Sequence, residues 1–147
     1  MVSSLHYLTF TCLDLSFAID QVCQFMSIPT DIHLIAAKCI LRYINGTLHF
    51  RVFLRLGPLS LSAFWDSDWV DDPYDRRSTT GYLVYLGYNP ITWSAKKQDI
   101  VSRSSTESEY RALATTTTEL SWLCQVLKGL GVFLSTPPKL WCEMSVH

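Results

Sequence analysis

The chain has 147 residues, 48% of them hydrophobic and 17% charged, which is enough apolar material for a packed core and excludes intrinsic disorder. Its formal net charge of −1 provides no global positive field, so contact with nucleic acid or an anionic membrane would need a local patch. The five cysteines (Cys12, Cys23, Cys39, Cys124 and Cys142) are scattered without a CxxC pair, which argues against a zinc site or disulfide scaffold and for an intracellular, reducing compartment.

Taken in chain order, the N-terminal stretch lacks a basic leader, and Asp14 and Asp20 interrupt its apolar run. Neither a secretory signal nor a membrane span is expected. Asp14 is placed to cap a helix reaching about Met26, with Leu15, Phe17, Ala18, Val22 and Phe25 at mixed helical spacing. A second helix is predicted over 31–44, with Ile35, Ala36, Cys39, Ile40 and Tyr43 on one face and Asn45-Gly46 as its stop. Alternation over 49–55 predicts a strand, and Gly57-Pro58 turns the chain.

Three strands are predicted next, over 59–65 (ending at Asp66), 81–86 and 91–94, as an antiparallel meander. Five aspartates crowd the loop between 66 and 75. The strongest helix signal starts at Ser104-Ser105-Thr106-Glu107-Ser108-Glu109, continues through Leu113, Leu120, Leu123, Cys124 and Leu127, and closes at Gly129 and Gly131. After Pro137-Pro138 a short strand over 139–143 can return parallel to the first. The fold class is therefore α+β, divided into a mainly helical 1–56 and a sheet-and-helix 57–147.

The chemistry-bearing residues are carboxylates. Magnesium takes hard oxygen ligands, so a catalytic site needs a few Asp or Glu converging from different elements. Asp66 ends a predicted strand, and Glu109 opens the long helix, on a stripe with Leu113, Thr116 and Leu120. Glu107, two residues away, is rotated by about 200° and faces solvent. Plainer readings compete. Asp-rich loops are commonly solvated turns, Thr106-x-x-Glu109 is also a capping box, and Arg76-Arg77, Lys96-Lys97 and Arg103 can be a solvated face.

The wording of 57–143 narrows the choice. The segments LSAFWDSDWVDDPYD (61–75), RRSTTGYLVYLG (76–87), ITWSAKKQDIVSRSSTESEYRAL (91–113) and TELSWLCQVLKGLGV (118–132) closely resemble the RNase H domain of copia-type LTR retrotransposon Pol polyproteins. SLHYLTFTCLDLSFAIDQVCQFM and HLIAAKCILRYINGTLHF resemble the C-terminal end of the reverse transcriptase of the same polyproteins. The resemblance implies a truncated RNase H-like fold preceded by a mainly helical reverse-transcriptase tail. It also implies magnesium-dependent hydrolysis of the RNA strand of an RNA–DNA hybrid, with two ions held by carboxylates.

Carried over by position, the catalytic and metal-holding acids are Asp66, Glu109 and Glu143. Where the family has Cys-Asp-Asn, this chain reads Cys142-Glu143-Met144, and the fourth family carboxylate lies beyond residue 147. Magnesium tolerates displaced ligands poorly, so the resemblance implies activity that is weak or lost. A non-catalytic hybrid-binding or interaction module is the alternative. Arg76, Arg77, Lys96, Lys97 and Arg103 are the implied phosphate contacts. The expected partner is an RNA–DNA hybrid, with no membrane and no small-molecule cofactor, and an exposed sheet edge offers a route to self-association.

Overall fold

The computed structural model describes residues 2–70 and 75–142. The chain divides into two compact units, Met1–Phe53 and Leu54–His147.

The first unit is helical: α1 (Val2–Leu8), a 3-10 turn (Leu13–Leu15), α2 (Ser16–Cys23) and α3 (Asp31–Gly46). Its core is Leu5, Leu15, Ile19, Val22, Ala37 and Ile40. The sequence reading did not anticipate α1. A seven-residue helix has little stability of its own, and burial of Leu5 in this core is what holds it. Asp14 does not cap α2; its carboxylate instead accepts a hydrogen bond from the Tyr43 hydroxyl at 2.6 Å. The buried face of α3 is also turned from the predicted one. Ala37 and Ile40 are buried with Ala36 and Ile44 packed beside them, while Ile35 is 60% exposed and Cys39 and Tyr43 face outward. Residues 50–60 form no helix or strand, so the strand predicted over 49–55 is not formed. Alternating apolar residues permit a strand, but only a partner ladder makes one.

The second unit contains β1 (Leu61–Asp68), β2 (Thr79–Leu86), β3 (Asn89–Lys97), α4 (Ser105–Gly129) and β4 (Lys139–Cys142). The sheet order is β3-β2-β1-β4, antiparallel except for β4, which lies parallel to β1 as the crossover argument expected. The alternation of β1 buries Leu61, Ala63 and Trp65 and leaves Phe64 and Asp66 exposed. Along α4 the buried residues are Ser108, Ala112, Thr116, Leu120 and Leu123. The two stripes meet in a core of Leu61, Ala63, Val84, Leu120 and Leu123. Small side chains at Ala63, Ala112 and Ser108, all fully buried, let the helix lie close to the sheet.

The strands run longer than predicted because pairing extends them past their apolar residues. Asp66 therefore lies within β1, opposite Gly81 of β2, instead of at the strand's end. The β2–β3 turn depends on Gly87, whose φ of 60° is left-handed and whose N–H donates to the Ser60 carbonyl at 2.8 Å. A Cβ there would lie 2.6 Å from the Pro58 carbonyl oxygen. Gly87→Ala is expected to destabilise the protein by about 1–3 kcal/mol through backbone strain and this clash. A urea melt followed by tryptophan fluorescence measures it; an unchanged midpoint would show that the turn relaxes freely.

Candidate carboxylate site

Asp66 projects from the exposed side of β1, and its Oδ1 accepts the Ser67 N–H at 2.8 Å. Parallel pairing sets Cys142 of β4 opposite Trp65, the residue before it. Glu109 lies one position past buried Ser108 on α4, and its side chain is exposed. Of the stripe assigned to Glu109 from sequence, Thr116 and Leu120 are buried as expected, whereas at its start Ser108 and Ala112 are the buried residues and Glu109 is exposed.

Capping of α4 is likewise resolved differently from the Thr106–Glu109 box. Ser104 is the N-cap, and its Oγ accepts the Glu107 N–H at 3.2 Å. Glu107 Oε2 accepts the Arg103 N–H at 2.8 Å, and its Oε1 takes the Arg111 guanidinium at 2.8 Å. Glu107, read from sequence as a solvent-facing residue, therefore carries the cap and an ion pair one turn along the helix. Glu109 has no capping role.

A polar network that the sequence signals do not single out holds the chain neighbours of the two acids together. The hydroxyls of Ser67 and Ser108, neighbours of Asp66 and Glu109, hydrogen-bond to each other. Gln98 Nε2 donates to Thr80 Oγ1 and to the Ser108 carbonyl, each at 3.0 Å, and Ser102 Oγ donates to Gln98 Oε1 at 3.0 Å. Trp69 Nε1 reaches the Ser102 carbonyl at 3.3 Å. The only sequence signal was the unusual run of small hydroxyl residues at 102–108, which capping alone does not explain.

The Cys142 thiol reports on both acids. Partial burial pushes its pKa up, and the charges of Glu109 and then Asp66 push it further the same way. Glu143, the third expected acid, lies outside the described residues. Among the described residues no group of three or more His, Cys, Asp or Glu is arranged to hold a metal ion.

The five basic candidates differ in what already engages them. Lys97 and Arg77 are engaged by Asp75 at 3.2 and 3.8 Å, so one acid of the Asp-rich loop serves as a structural ion-pair partner. Adjacent residues on β3 alternate faces, which turns exposed Lys96 away from Lys97. Arg76 is exposed, with a left-handed backbone (φ 55°), and Arg103 is exposed beside the α4 cap.

The Arg111 pair and then the Arg103 N–H hold the Glu107 carboxyl below the ordinary glutamate value. Its stabilising contribution is complete above the unfolded-state value and disappears as pH falls through the lowered one. Glu107→Gln is expected to lower the Tm at neutral pH, with the gap to the parent closing in acid. Parallel thermal melts across pH check this, and a gap that persists in acid would overturn it.

No family model matches the chain, and no solved structure matches it. It is 51% identical over 144 residues to the retrovirus-related Pol polyprotein from transposon RE1 of Arabidopsis thaliana, covering 97% of this chain. It is 36% identical over 132 residues to that from transposon TNT 1-94 of Nicotiana tabacum, covering 89% of this chain. The match spans 10% of the length of each of these relatives. It is also 42% identical over 111 residues to the secreted RxLR effector protein 161 of Plasmopara viticola, covering 75% of this chain and 78% of that protein. With near-complete coverage at this identity, the chain belongs to the retrovirus-related Pol polyproteins of copia-type transposons.

Proposed function

We propose that the second unit is an RNase H-like domain whose family chemistry, hydrolysis of the RNA strand of an RNA–DNA hybrid, is weakened in this chain. The observation that carries the reading is the hydrogen bond between the Ser67 and Ser108 hydroxyls, because it joins the chain neighbours of Asp66 on β1 and Glu109 on α4 and so supports two hard oxygen donors offered from different elements. The mixed sheet, with α4 leading into a strand parallel to β1, supports the same fold.

The donor set fits magnesium in kind: Asp66 and Glu109 would hold the ion, with Glu143 following Cys142 along the chain. Bound magnesium supplies a more acidic water for attack on phosphorus and neutralises the departing oxygen. The chain's own groups hold this site in place. The Ser67 N–H orients the Asp66 carboxylate, and the Ser67–Ser108 bond fixes the start of α4 against β1. Exposed Arg76, Lys96 and Arg103 are the better phosphate contacts, since Arg77 and Lys97 already neutralise Asp75. Discrimination of RNA would rest on its 2′-hydroxyls.

A labelled hybrid incubated with magnesium tests the reading. Slow cleavage of the RNA strand is expected, abolished by Asp66→Asn and by Glu109→Gln. Glu143→Asp is expected to raise the rate by about 10- to 100-fold by restoring a shorter ligand. Cleavage that survives both neutralising substitutions would sink the proposal.

Glu143 standing where the family has an Asp favours a second reading, a hybrid-binding module without turnover. Its signature is binding without cleavage, weakened on neutralising Arg76 and Arg103.

A further inference from the structure

We infer that the outward face of α4 is a self-association surface, on which a second copy of this chain lays its own α4 antiparallel. The buried stripe of the helix is Ser108, Ala112, Thr116, Leu120 and Leu123. On the opposite side a groove runs between Tyr110 and Trp122, floored by Ala114, Thr117, Thr118 and Ser121. All six are exposed, Tyr110 to 68% and Trp122 to 55%. The water-facing side of a helix ordinarily carries charge. Here the one charged residue between Arg111 and Lys128 is Glu119, and it is turned to β3, where its carboxylate accepts from the Thr92 hydroxyl.

The threonines of this face are less polar than their formulae. The Thr117 hydroxyl donates to the Leu113 carbonyl at 2.7 Å, and that of Thr118 to the Ala114 carbonyl at 2.9 Å. With their donors satisfied inside the helix, covering them forfeits little hydrogen bonding to water. Small side chains between two rings let a second helix approach closely while the rings supply contact area.

Charge selects the occupant and its direction. The stripe begins at Glu107 and ends at Lys128, which lie within about 60° of each other around the helix. A two-fold axis between Thr117 and Thr118 sets Ala114 against the second copy's Ser121, Tyr110 against its Gln125 and Glu107 against its Lys128. Opposite charges then meet at both ends, and the two helix dipoles run head to tail. A parallel pair would instead bring like charges together at each end. The Glu107 carboxylate already holds Arg111, and with about four acceptor positions it has room for an ammonium as well. Glu109 lies about 180° around the helix from Thr118, so pairing leaves it uncovered. This inference goes beyond the hydrolase proposal and does not rest on it.

Sedimentation of the full chain over a range of concentrations is the test. A reversible monomer–dimer equilibrium is expected, with a Kd on the order of tens of micromolar for a contact of this size. Thr118→Glu sets two carboxylates beside the axis, and Lys128→Glu places like charges at both ends. Each is expected to weaken the dimer by about tenfold or more, with circular dichroism showing that the helices are kept. The Tm of the parent is expected to rise with concentration, and that of Thr118→Glu to stay constant. A parent that remains monomeric to about 1 mM, leaving the stripe to another protein, would overturn the inference. So would association that both substitutions leave unchanged, as pairing through a sheet edge would give.

Discussion

The crossing of β1 and the first turns of α4, sealed by the hydrogen bond between the Ser67 and Ser108 hydroxyls, is the constraint on which the rest of the second unit depends. Ser108 is fully buried, so a larger residue there would lift the helix off the sheet, and an apolar one would remove the Ser67 hydroxyl's partner. Because each serine is the chain neighbour of a carboxylate, the same contact sets where Asp66 and Glu109 stand. The network around Gln98 links this point to β2 through Thr80 and to the approach of α4 through Ser102. A fully satisfied polar cluster of this kind makes one arrangement of helix and sheet much better than its neighbours.

The acids of the second unit divide by what they already hold. Glu107 is consumed by the helix start and Arg111, Asp75 by Arg77 and Lys97, and Glu119 accepts from the Thr92 hydroxyl at 3.4 Å. Asp66 and Glu109 have no ion-pair partner among the described residues. Carboxylate oxygens that hold no ion pair keep their capacity for a cation.

How the cysteines sit agrees with their scatter along the chain. All five are free thiols, and the stability of each unit comes from apolar packing without covalent cross-links. Cys23 shows the structural use of such a residue. It is partly buried beside the helical core, and burial followed by the charge of Asp20 raises its pKa, which makes it a poor nucleophile. No helix among the described residues is long and apolar enough to cross a membrane.

By itself the sequence determined the α+β class, the meander, the long helix from Ser104 and the kinship with transposon Pol polyproteins. Turn residues, caps and apolar periods act over a few neighbours, and long motifs survive in wording alone. Only the tertiary structure decided which glutamate caps α4 and which is left without an ion pair, since Glu107 and Glu109 satisfy similar local patterns and differ in what lies near them. It also decided the buried face of α3, the existence of α1 and the fate of 49–55. A rotation of about 100° per residue turns a one-position error into a different face, a short helix needs a core to rest on, and an alternating segment becomes a strand only where another strand receives it.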